Sequence, residues 1–247
     1  MYRSSVLMLF FLALILPASE NQKSFEEDII LTSGGNLKIT FIGHGTLMFE
    51  FAGMCIHIDP VSRYADYKQM PKADVILVTH HHGDHLDESA IKNVLKGDTE
   101  IVWTAKCAEM GGSTSGMVMA NGDVRTVKGL LISAVPAYNL KHMRSPGNPY
   151  HPKGEGNGYI ITFGDKKVYV AGDTENTPEM KALKEIDVAF LPMNLPYTMT
   201  PEMVADAAMA FKPKVLYPYH FGDTETAKLI EFLKEEPDIE VRIRKMN

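Results

Sequence analysis

The sequence predicts an α/β (α+β) fold, a sheet-on-sheet core covered by helices. Three observations carry that expectation. Strand-like and helix-like segments alternate in both halves of the chain, the opening is rich in hairpins, and no low-complexity linker or charge block marks a domain boundary.

The elements follow in chain order. Arg3 precedes "VLMLFFLALIL" (Val6 to Leu16) and then "PASEN". A basic start, a short apolar run and small residues read as a secretory signal peptide over residues 1–19, leaving 20–247 as a single domain. The run is short for a membrane span, so no stable membrane insertion is expected after cleavage, and the expected location is periplasmic or extracellular. "NLKITFIG", "TLMFEFA" and "MCIHIDP" read as a meander of short strands. "ADVILVT" is a strand buried on both faces. Ile91, Val94 and Leu95 then recur at helical spacing, with Gly97 able to close that helix. In the second half "GYIITFGDKKVYVAGDT" is two strands around a Gly-Asp turn. "TPEMKALKEI" and "TPEMVADAAMAF" both begin with a Thr cap and Pro in the first helical position. "DVAFLPMN" and "KVLYPYH" are further strands, and "TETAKLIEFLKEE" is a final helix. The long irregular piece is Asn139 to Asn157, a length that in a compact domain marks a functional loop.

Composition narrows the function. With 247 residues, 45% apolar content and a formal net charge of −6, the chain has no basic footprint, and nucleic acid is not an expected partner. Two cysteines make no disulfide framework, and Cys55 lies in an apolar run as a small hydrophobe. Trp103 reads as packing and the 15 scattered methionines as core filler.

Chemistry gathers where strands end. "VILVT" runs into His80, His82, Asp84 and His85, "VYVAG" into Asp173, and "VLYPY" into His220. "CIHI" runs into Asp59 and "ITFIG" into His44. Carboxyl ends of strands commonly line the binding crevice of α/β folds. His44 or Asp59 alone would read as a satisfied turn group, but so many polar strand ends together point to a site. On an extended backbone residues two apart face the same way, so His80 and His82 can share one ion while Asp84 and His85 face a second. Asp173 can bridge the two ions and His220 can complete the second site. His81, at the intervening position, points elsewhere.

The motif "THHHGDH" resembles the H-x-H-x-D-H signature of the metallo-β-lactamase superfamily, and "GHGTLMFEF", "IDP", "AGDT" and "YPYHFG" match as well. Within it the chain is similar to the branch of ascorbate-phosphate lactonase-like hydrolases and N-acyl-phosphatidylethanolamine phospholipase D. The resemblance implies a four-layer αββα sandwich with a dinuclear site at one edge, and carries over His80, His82, Asp84, His85, Asp173 and His220 as ligands. His82 stands where flavodiiron relatives carry Glu, which favours zinc over a redox iron pair. Relatives often place a further ligand His after the strand following the signature, whereas this chain reads "VPAYN", ending in Asn139. Asn139, His142 and His151 are the candidates for that ligand. An amide is a weak zinc ligand, "KHMR" sets His142 between cations, and Pro149 and Pro152 stiffen the backbone around His151, which is therefore the assignment.

The expected function is a secreted metal-dependent hydrolase with two zinc ions, manganese or iron being alternatives. A metal-bridging hydroxide would attack an ester, lactone, amide or phosphodiester of a small molecule. Asp84 would also handle the proton, and His44 and Asp59 would orient the metal-facing groups. The competing readings are a metal-binding scaffold without turnover and a true β-lactamase. Lys141, Arg144 and Lys153 in the long loop are candidates to meet an anionic substrate.

Overall fold

Each half of the chain builds one seven-stranded sheet, and the two sheets face each other. The structure is a computed structural model and describes residues 24–111 and 114–246, so the leader expected over residues 1–19 lies outside the described residues. The first half supplies β1 (Glu26–Thr32), β2 (Gly35–Gly43), β3 (Thr46–Phe51), β4 (Met54–Ile58), β5 (Val75–Leu77), β6 (Glu100–Trp103) and β7 (Met117–Val118), adjacent in that order. β1 to β4 are antiparallel, and β4 to β7 are parallel. The second half supplies β8 (Val124–Val127), β9 (Leu130–Ala137), a small hairpin of β10 (Met143–Ser145) and β11 (Asn148–Pro149), then β12 (Gly156–Phe163), β13 (Lys166–Val170), β14 (Val188–Pro192), β15 (Val215–Tyr219) and β16 (Glu240–Val241). The hairpin aside, these form the second sheet, which repeats the scheme: antiparallel from β8 through β9 and β12 to β13, parallel from β13 to β16.

Alternation along the strands decides which face goes where. Phe41 and Phe49 point at the second sheet, where their rings meet Phe190 at 6.2 and 5.9 Å. On the other face of the first sheet Ile76, Ile101 and Trp103 pack against Ala90, Ile91 and Val94 of α1 (Glu88–Val94) and Cys107 of α2 (Ala105–Met110). The second sheet is covered by α3 (Pro178–Lys181), α4 (Pro201–Phe211) and α5 (Ala227–Phe232), with Tyr169 of β13 edge-on to Phe211 of α4. The layers therefore run helix, sheet, sheet, helix. Each such buried side chain contributes roughly 1.5–3 kcal/mol, and a one-residue slip would turn every one of them outward, so the register is fixed by the core.

The helix starts are made by their caps. The Asp87 side chain accepts from the amides of Ser89 and Ala90, and Thr177 and Thr200 cap α3 and α4 ahead of proline. α3 and α5 are shorter than the sequence runs that suggest them. β1 was not anticipated; its alternating half-exposed pattern is that of an edge strand. The Asn139–Asn157 segment is not irregular throughout, because it carries the β10–β11 hairpin. Trp103 is buried, and both cysteines are buried and free. No described helix is long and apolar enough to cross a membrane.

Candidate metal centre

The polar residues that follow the strands meet at one edge of the sandwich. His44 follows β2, Asp59 follows β4, the His80–His85 turn follows β5, Asp173 follows β13 and His220 follows β15. His44, Asp59 and His220 have φ of 53, 44 and 46°. That left-handed region is uncommon for residues with a Cβ and costs roughly 1–3 kcal/mol each, a strain that clusters at functional sites. The backbone amide of His220 donates to the carbonyl of His44 at 2.9 Å, so the two halves are joined directly at this edge.

Two groups of donors converge. In the first, His82 Nδ1 lies 3.1 Å from His80 Nε2 and 3.2 Å from His151 Nε2. In the second, Asp84 Oδ2 lies 3.2 Å from His44 Nε2 and 3.7 Å from His220 Nε2, with His85 Nε2 4.0 Å away. Asp173 stands between them. Its Oδ2 is 3.3 Å from His151 Nε2, 3.2 Å from His220 Nε2 and 3.8 Å from His80 Nε2, and its Oδ1 is 3.4 Å from His85 Nε2.

The remaining ring nitrogens are held from behind, which fixes where the lone pairs point. The Asp59 carboxylate accepts from the amide of Thr79 at 2.7 Å, from the Thr79 hydroxyl at 2.6 Å and from His85 Nδ1 at 2.8 Å. Because the Thr79 hydroxyl is spent on Asp59, its oxygen accepts from His80 Nδ1 at 3.1 Å. Asn139 does the same for His151. Its amide nitrogen donates to Glu175 Oε1 at 3.1 Å and to the Tyr197 carbonyl at 2.9 Å. That leaves its oxygen to accept from the backbone amide and Nδ1 of His151 at 2.7 and 2.9 Å. His80, His85 and His151 thus each hold Nδ1–H away from the centre and turn Nε2 toward it.

The donors fit divalent cations. His85 Nε2, His220 Nε2 and Asp173 Oδ1 are buried without a hydrogen-bond partner. Three imidazole nitrogens aim at one another in the first group, an arrangement that one cation satisfies and protons do not. The charges agree. Burial opposes ionisation of Asp173, but the charges of His220 and His85 outweigh it and hold the carboxyl well below its usual range. Burial likewise disfavours an imidazolium at His220, yet Asp173 and Asp84 push it up to about 10. Burial, with His151 beside it, brings His82 down to about 4. Two carboxylates and several imidazoles without thiolate suit zinc, and also manganese and iron, once the ion displaces the imidazolium proton of His220. The His/Asp cluster is thus able to bind metal.

His44, His80, His82, Asp84, His85, His151, Asp173 and His220 are therefore brought together, with Asp59 directly behind them. Asn139 supports His151 and does not face the centre. His142 is drawn away by Glu175, at 2.7 Å from its Nδ1, and His81 belongs to neither group. Lys153, a candidate for substrate contact, instead pairs with Glu179 at 2.6 Å. Sequence reasoning missed Thr79 and Glu175. Glu175 is fully buried and accepts from the amides of Leu140, Lys141 and His142, shaping the turn that carries Asn139. The only signal was a second carboxylate inside "GDTEN".

A cavity of about 340 Å³ opens over the cluster, walled by Arg63, Tyr64, Arg144, Tyr150, Asn194 and Tyr197. That is the small end of the range for ligand pockets. Arg63 and Tyr64 also border a neighbouring hollow of about 590 Å³, which contains none of the clustered histidines.

The Beta-lactamase superfamily domain matches residues 38–220. The chain is 32% identical over 195 residues to a UPF0173 metal-dependent hydrolase of Methanopyrus kandleri, covering 75% of this chain and 84% of that protein. It is 33% identical over 197 residues to one of Thermococcus kodakarensis, with coverage of 75% and 85%. Among solved structures, one from Parabacteroides distasonis, provisionally named a metal-dependent hydrolase, is 51% identical with a TM-score of 0.86 over 91% of this chain and 100% of that one. A metallo hydrolase of Ignicoccus hospitalis is 25% identical with a TM-score of 0.70, over 85% and 96%.

Proposed function

This chain belongs to the metallo-β-lactamase superfamily, among the UPF0173 metal-dependent hydrolases, and from that premise we propose that it is an exported dinuclear zinc hydrolase of small esters, lactones, amides or phosphodiesters. One observation carries the reading: two donor groups drawn from both halves of the chain share the buried Asp173. His80, His82 and His151 would hold one ion, and Asp84, His85 and His220 the other, with manganese or iron as alternatives to zinc. Divalent ions there would supply a water of near-neutral pKa and polarise a substrate oxygen.

The protein's own groups do the rest. Asp59, Thr79 and Asn139 hold the imidazoles in one tautomer, so no reorientation is needed when substrate arrives. Asp84 is the carboxylate of the cluster that reaches the cavity with substantial exposure, and its Oδ2 is placed to hold a proton in transit. Tyr64 and Tyr150 wall the cavity and limit water. Export rests on the apolar leader of residues 6–16.

The test is elemental analysis after reconstitution with zinc, manganese or iron, then a hydrolysis panel on wild type and Asp173→Ala. Two ions per chain are expected, and Asp173→Ala should lose at least a hundredfold in kcat/KM while keeping its cooperative thermal transition. Trace metal only, or retained activity in the variant, would overturn the reading.

A further inference from the structure

We infer that the substrate carries a second anionic group, a carboxylate or phosphate, held by Arg63 and Arg144 in the cavity that opens over the metal-binding cluster. The described residues contain Arg63, Arg125, Arg144, Arg242 and Arg244. Arg125 pairs with Asp123, Arg242 with Glu240 and Arg244 with Asp28. The two with no carboxylate within ion-pair distance, among the described residues, are the two that line the cavity. They come from separate parts of the fold: Arg63 from the loop between β4 and β5, Arg144 from the β10–β11 hairpin. Both are braced by aromatic side chains. The guanidinium of Arg144 lies 5.1 Å from the ring centre of Tyr150, and Arg63 reaches the hydroxyl of Tyr64.

Such bracing holds a planar donor fork in place while leaving its charge unneutralised, the state in which arginine recognises carboxylate and phosphate oxygens. Lys153 of the same loop does not share it, since it is paired with Glu179 and stacks on Tyr138. The carboxylates that reach the cavity, Asp84 and Asp173, are both engaged by histidines. An incoming anion therefore meets two free guanidinium groups without a competing acid. At about 340 Å³ the cavity has room for a small molecule that meets both the clustered histidines and the two arginines.

The inference rests on the hydrolase reading for the chemistry at the metal end, so its test is one of binding. Metal-loaded wild type, Arg63→Gln/Arg144→Gln and the control Lys153→Gln are titrated calorimetrically with dicarboxylates from malonate to adipate and with monocarboxylates of equal length. The monocarboxylate measures attraction to the metal end alone. At least one dicarboxylate is expected to bind wild type and Lys153→Gln tenfold or more tightly than its monocarboxylate, and the double variant to lose that preference with unchanged metal content. No preference in wild type, or a preference that survives in the double variant, overturns the inference. A protein that shows the preference yet hydrolyses nothing in the panel contradicts the proposed activity and leaves the anion site standing.

Discussion

At the scale of single residues, the centre depends on groups that never face it. Asn139 orients His151 through two hydrogen bonds to one amide oxygen, so Asn139→Ala should lower metal affinity by roughly 10–100-fold while the fold persists. Competition against a chromophoric chelator measures it, and an unchanged affinity would contradict the positioning role. His57 offers a test outside the donor set. It is fully buried, its Nε2 donates to the Pro71 carbonyl at 3.0 Å, and burial brings it down to about 4. The unfolded chain takes up that proton near 6.5, so the contribution of His57 is complete above that pH and is lost as the pH falls toward 4. The loss is on the order of 3 kcal/mol. His57→Gln should flatten the urea stability curve over this window. At this scale most of the candidate donors were legible because they follow aliphatic strands, whereas His151 lies in the long loop and was reached only through the prolines that flank it. The sequence could not show Thr79, Glu175 or the role of Asn139, because their partners are neighbours in space only.

At the scale of elements, tight turns at strand ends set the geometry. A Cβ on Gly45 would lie 2.6 Å from Cε1 of His85, closer than any real contact. Gly45→Ala should therefore displace His85 and reduce bound metal by one ion per chain, with the sandwich still formed. Elemental analysis beside circular dichroism would show it, and full occupancy would refute the dependence. The long aliphatic strands and the Thr-Pro helix starts were legible because burial and capping both write themselves into local sequence. β1 was not, since an edge strand with a half-exposed alternation carries a weak signal. The β10–β11 hairpin was hidden because its two-residue and three-residue strands bury almost nothing.

At the scale of the whole molecule, a buried cluster of like-facing lone pairs makes the metal-free protein the less stable one. Metal at about a hundredfold its Kd adds roughly 2.7 kcal/mol per site. For a chain of this size that is roughly 5–10 °C in Tm. Scanning calorimetry before and after chelation reads the difference, and coincident transitions would mean that the cluster binds no ion in the folded state. The layered architecture could be anticipated from the alternation of elements, but the way the second sheet repeats the scheme of the first becomes visible only in the strand pairing. Every donor group takes members from both halves: His151 joins His80 and His82, Asp173 joins His80 and His85, and His220 joins His44, Asp84 and His85. Neither half alone holds a complete set. A complete set of ligands therefore needs both sheets in place, unlike a zinc finger, whose ligands come from one short local segment. A chain that stalls with its halves apart should then hold metal less tightly than the finished fold, so that metal occupancy reports on maturation.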